Sequence, residues 1–159
     1  MTPPKNQYIQ TFTRAIILPV SAREAFAWHE KPGTLELLTP PWEKISLVSM
    51  SDGIHDGSRV VIRAKVGPIW TTWVMEHYGF RKGSEFNDRM RQGPFPLWEH
   101  RHHFVDLGDG SDGTCVMTDT IRYKVPLGVV GLVAAGWFTR RKLAKLFAWR
   151  HAVTRASLG

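Results

Sequence analysis

"FNDRMRQGPFPLWEHRHHF" runs from Phe86 to Phe104, and it decides the fold. Gly93-Pro94 splits it into two runs that each read with a period of two. In the second run Trp98, His100, His102 and Phe104 share one face. Glu99, Arg101, His103 and Val105 share the other. The first set holds the aromatics and the second the charges, so the first is expected to face the interior. In the run before the turn, Phe86, Asp88 and Met90 oppose Glu85, Asn87, Arg89 and Arg91. Two antiparallel strands therefore bring imidazoles and a carboxylate onto an apolar face. An unpaired charge there is costly, so these groups should bond to one another or to water.

The same pattern extends in both directions. "EKISLVSM", "SRVVIRAKV" and "IWTTWVMEHYGF" precede the stretch as strands, separated by "SDGIHDG" and Gly67-Pro68. "TCVMTDTIRYKV" follows it after the loop "GDGSDG" and ends at Pro126. Tight connections between six consecutive strands imply an antiparallel meander. In the fourth strand Trp73, Met75 and His77 share a face. In the last, Cys115, Met117, Asp119, Ile121 and Tyr123 do so. Asp119 thus joins Asp88, His100 and His102 in the inward polar set.

The first quarter differs. "YIQTFTRAIILPV" is a strand rich in β-formers, ended by Pro19. Ser21 and Glu24 form a capping box for a short helix over "AREAFAWHE", which Pro32 breaks. "GTLELL" is a second short helix, stopped by Pro40-Pro41. The tail from Leu127 to about Ala156 is one long helix. Val129, Leu132, Val133, Gly136, Trp137, Leu143, Leu146 and Phe147 fall near one face, and Arg140, Arg141, Lys142 and Lys145 near the other. The fold class is α+β. A seven-stranded antiparallel sheet has one apolar face to cover, and only the last helix is long enough to cover it.

The bulk numbers bound the function. A chain of 159 residues, 43% hydrophobic and 22% charged, fits one globular domain over residues 1–159. Its net charge of +7 admits anionic partners. The cations are spread along the chain, however, and no basic-aromatic strand pattern of an RNA-binding sheet occurs, so no nucleic acid is expected. One cysteine, Cys115, makes no intrachain disulfide, and its strand position suggests a buried, inert thiol. "MTPPKNQYIQ" has no apolar signal segment, so a cytoplasmic protein is expected. No His-Glu-x-x-His or similar spacing occurs, and neither a metal nor a cofactor is expected.

At this point the residues suggest a family. "PWEKISLVS" after the short helices, Trp73 with His77, the quoted stretch, "TDTIRYKVPLG" and Arg150 near the end of the last helix resemble the START-like superfamily, also called SRPBCC. The match is nearest to its bacterial ligand-binding subgroup and covers nearly the whole chain. The resemblance implies the helix-grip fold, with a mostly apolar cavity between sheet and C-terminal helix. Family members bind lipids, sterols, polyketides or quinones there, and some catalyse cyclisation or dehydration.

The expected function is binding of a hydrophobic small molecule in that cavity. Trp73, His77, Phe86, Met90, Trp98, Phe104, Met117 and Tyr123 would line it, with Leu132, Gly136 and Leu143 on the helix above. Asp88, His100, His102 and Asp119 would form its polar end. The glycines of the helix suggest either close packing or room for a ligand. A cyclase or dehydratase is the alternative, with His100 or His102 as base and Asp88 or Asp119 orienting it. A third reading is an adaptor that docks its cationic helix on an anionic membrane surface or a protein partner. The oligomeric state stays open.

Overall fold

The computed structural model describes residues 8–51, 53–109, 111–126 and 128–159, with side chains of 128–134 outside the description. Leu132, expected at the lid, and its neighbours Val129 and Val133 therefore lie outside the described side chains. The chain forms β1 (Gln10–Leu18), α1 (Ala22–His29), α2 (Thr34–Leu37), β2 (Ile45–Met50), β3 (Arg59–Val66), β4 (Ile69–Arg81), β5 (Glu85–Gln92), β6 (Leu97–Asp106), β7 (Cys115–Lys124) and α3 (Gly128–Leu158). The seven strands make one antiparallel sheet in the order β1-β7-β6-β5-β4-β3-β2. The element order expected from the sequence is the one observed.

Local chemistry sets the boundaries. Ser21 accepts a hydrogen bond from the Glu24 backbone, and the Glu24 carboxylate accepts from the Ser21 N–H, so the capping box starts α1. Asp106 at the end of β6 also accepts from the Ala22 N–H at 2.6 Å. That contact ties the helix start to the sheet. Gly33, at φ 84°, then turns the chain into α2.

β4 bends at a bulge. Its pairing with β5 shifts between Tyr78 and Arg81, where Gly79 takes φ 64°. The buried Asn87 amide donates to the Tyr78 and Gly79 carbonyls. A Cβ on Gly79 would lie 2.7 Å from the Asn87 Nδ2. Parity places Asn87 on the outer face; its burial there comes from this bulge.

Two cores lie on the inner face. Phe26 of α1 meets Phe80, Phe86 and Phe104 edge-on, over Leu18, Cys115 and Met117. At the other end Phe147 and Leu143 of α3 pack on Phe12, Ile121, Tyr123 and Val125. Each fully buried aromatic or aliphatic side chain contributes roughly 1.5–3 kcal/mol. Burial pushes the Cys115 thiol up to about 11, which leaves it inert. On the outer face Glu76 is enclosed by Arg59, Arg89 and Arg91, and the hydrogen bonds of Arg91 and Arg89 hold its carboxyl down at about 2. Among the described residues no helix is long and apolar enough to cross a membrane.

Candidate functional site

The strip between the two cores is polar. Register alone assembles it: His77 of β4 stands opposite Asp88 of β5, Asp88 opposite His100 of β6, and His102 opposite Asp119 of β7. All five side chains are on the inner face because strand parity puts them there. The four expected polar residues are thus brought together.

Asp119 is the hub. It is 2% exposed. His100 Nε2–H donates to its Oδ1 at 2.8 Å, and His151 Nε2–H of α3 donates to its Oδ2 at 2.7 Å. His102 Nδ1 lies 2.9 Å from the same Oδ1, but without hydrogen-bond alignment. Asp88 is looser: its Oδ2 stands 3.4 Å from both His100 Nδ1 and His102 Nε2. The ring centroids of His100 and His102 are 3.8 Å apart.

These contacts decide the charges. Burial pushes both carboxyls up, but the imidazoles beside them win and hold Asp88 and Asp119 well below the usual range. Burial pulls His100 down, and the hydrogen bonds and charges of Asp119 and Asp88 outweigh it, so its pKa rises to about 9. His100 is an imidazolium at neutral pH, held between two carboxylates. Burial depresses His77, and its Nδ1 has no hydrogen-bond partner among the described residues. His29 of α1 is depressed to about 4 by burial, and its Nδ1–H donates to the Ala25 carbonyl at 2.8 Å.

The apolar candidates divide. Phe86 stacks on His102 with centroids 4.1 Å apart. Phe104 and Met117 are in the α1 core, whereas Tyr123 and Leu143 are in the α3 core. Trp73 and Trp98 meet at 6.1 Å beside Phe95. Met90 is half-buried and folds against Gly93. Gly136 is buried on β1, where a Cβ would lie 2.5 Å from the Gln10 Nε2. Of the two readings of that glycine, close packing is the one observed.

Two spaces adjoin the strip. A cavity of about 10 Å³, room for a single water, touches His29, His102, Asp119 and Arg150. An open groove of about 300 Å³ lies between Leu35, Pro40, Ile45, Leu47 and Ile62, with Glu36 and Glu43 also on its wall. Arg150 borders both. It is half-buried, burial pulls its guanidinium down from its usual value, and its Nε is out of water with no hydrogen-bond partner among the described residues.

Sequence reasoning missed His29 and His151; it put the aliphatic stem of Arg150 on the apolar face of the last helix by spacing, and the family resemblance also singled Arg150 out. One signal was available: His29 follows Ala22, Ala25 and Phe26 at helical spacing, and His151 follows Phe147 by four.

No protein-family model and no curated protein matches the sequence. Solved structures do. A START superfamily protein from Mycobacterium smegmatis superposes with a TM-score of 0.65 at 12% identity, covering 93% of this chain and 96% of that one. An aromatase/cyclase from a Streptomyces species gives 0.66 at 12% identity, covering 95% and 94%. A nucleoside-diphosphate sugar epimerase from Corynebacterium glutamicum gives 0.67 at 24% identity; this chain is covered over 92%, but spans only 29% of that one. At these identities the superpositions show the fold: a seven-stranded antiparallel sheet with two short helices and a long C-terminal helix, the helix-grip fold.

Proposed function

We propose that the chain binds a hydrophobic small molecule whose carboxylate or carbonyl end meets Arg150. The observation that carries this reading is Arg150 itself. It borders both the groove and the buried polar strip, and its Nε lacks a hydrogen-bond partner among the described residues. A buried donor without an acceptor costs about 1–3 kcal/mol, which a ligand oxygen would recover. Leu47, Ile62 and Pro40 supply apolar wall to a tail lying in the groove. The groove, about 300 Å³, sits at the lower end of the range typical of small-molecule sites. Phe86, stacked on His102, is the expected apolar contact nearest the polar end. The START superfamily protein and the aromatase/cyclase of the same fold support a small-molecule partner.

Organic extraction of the purified chain, followed by mass spectrometry, tests this. A hydrophobic molecule with an acidic or carbonyl head should be recovered from the wild type and lost from Arg150→Met. Failure to recover any molecule, together with no binding of a fluorescent fatty acid, would sink the reading.

A second reading is favoured by the imidazolium of His100 between two carboxylates. That arrangement stores a proton that an acid/base step of a cyclase or dehydratase could use. It predicts that His100→Gln and His102→Gln retain binding but abolish any turnover of the bound molecule.

A further inference from the structure

The polar strip has the geometry of a metal site. We propose that Asp88 Oδ2, His100 Nδ1 and His102 Nε2 bind one divalent first-row transition ion of the zinc(II) or iron(II) class. Three ligand atoms converge within 4.8 Å of one another. Two of their separations, from the shared Asp88 oxygen to each imidazole, are 3.4 Å. A charged N–H···O hydrogen bond closes to about 2.7–2.9 Å, so these are not hydrogen bonds drawn to their optimum. Ligands about 2.0–2.1 Å from an ion at the centre of a tetrahedron stand about 3.4 Å apart. The spacing that is long for a hydrogen bond is right for an ion.

The far side of the His100 ring is held by a hydrogen bond to Asp119, and the far side of the His102 ring lies close to the same carboxylate. Asp119 Oδ1 lies 2.8 Å from His100 Nε2 and 2.9 Å from His102 Nδ1. Metal-bound histidines pair the distal nitrogen with a carboxylate, which sets the tautomer and the ring orientation, as Asp119 does for His100. The second oxygen of Asp119 accepts from His151, so α3 braces the arrangement from above. His77 adjoins it from β4, 7% exposed, with an unpartnered Nδ1. Its place opposite Asp88 in the register makes it a candidate for a fourth ligand. Two nitrogens and one oxygen favour a transition ion over magnesium or calcium.

The test uses the full, untagged chain stripped with chelator. Zinc(II) is followed by calorimetry and cobalt(II) by its visible absorption. One ion per chain is expected, with a rise in thermal midpoint, and no response to magnesium or calcium. Asp88→Asn and His102→Gln should each abolish it. Asp119→Asn should weaken binding about 10–100-fold, as loss of an orienting carboxylate does. His103→Gln, on the same strand but the opposite face, should bind as the wild type does. Should the ligand variants not fold, the cobalt spectrum and the thermal shift of the wild type decide alone. Absence of stoichiometric binding by the folded wild type would overturn the proposal, and so would binding that survives in folded His102→Gln.

Discussion

His29 makes stability depend on pH through one buried ring. Unfolded, an imidazole titrates near 6.5; folded, this one titrates near 4. Between those values the unfolded chain takes up a proton that the folded chain refuses. Its contribution is therefore complete above pH 6.5 and falls away as the pH drops to 4, by up to about 3 kcal/mol. His100 acts with the opposite sign, since its raised pKa favours the folded state as protons are added. Urea midpoints at pH 7.5 and 4.5, in chelator, should thus fall more for the wild type than for His29→Gln. An equal fall in both would refute the assignment. The four polar residues of the strip were legible because period two is strict: Asp88, His100, His102 and Asp119 had to share a face once the strands were recognised. His29 and His151 were not, because a helix has no fixed partner until it is docked. Nothing in residues 22–29 or 147–151 specifies that these rings meet the same strip from opposite ends.

Elements show the same division. The seven strands and three helices lie where alternation, capping and turn residues place them, and Ser21 with Glu24 forms the expected box. The bulge in β4 was hidden. A single glycine in a strand marks either a bulge or a close approach, and here it marks both. Gly79→Ala should destabilise the chain by about 1–2 kcal/mol, from the left-handed backbone and the displaced Asn87 amide together. Thermal denaturation checks it. An unchanged midpoint would mean that the Asn87 side chain swings away at little cost. The cationic face of α3 is also less free than its sequence suggests. Arg141 lies over the Trp137 ring at 5.0 Å, and Lys145 over Trp42 at 4.4 Å. Lys142 pairs with Glu43.

The whole molecule carries +7, yet many of its cations are engaged by rings or carboxylates. Association with anionic vesicles should therefore be weak and vanish at about 0.5 M salt, where screening reaches only a few ångströms. Cosedimentation measures it. Binding that persists in high salt would instead point to insertion of the exposed Ile69, Trp70, Trp137 and Phe138. The order of elements, the meander and the inward face follow from the sequence by itself, because side-chain period, caps and turn residues act over a few neighbours. Tertiary structure alone decided three things. It divided the apolar residues into two cores, put Arg150 at the junction of groove and strip, and set Asp88 at 3.4 Å from two imidazoles, one of which Asp119 holds from behind. Those outcomes depend on how α1 and α3 dock on a curved sheet. Docking is a long-range packing result that no local pattern encodes.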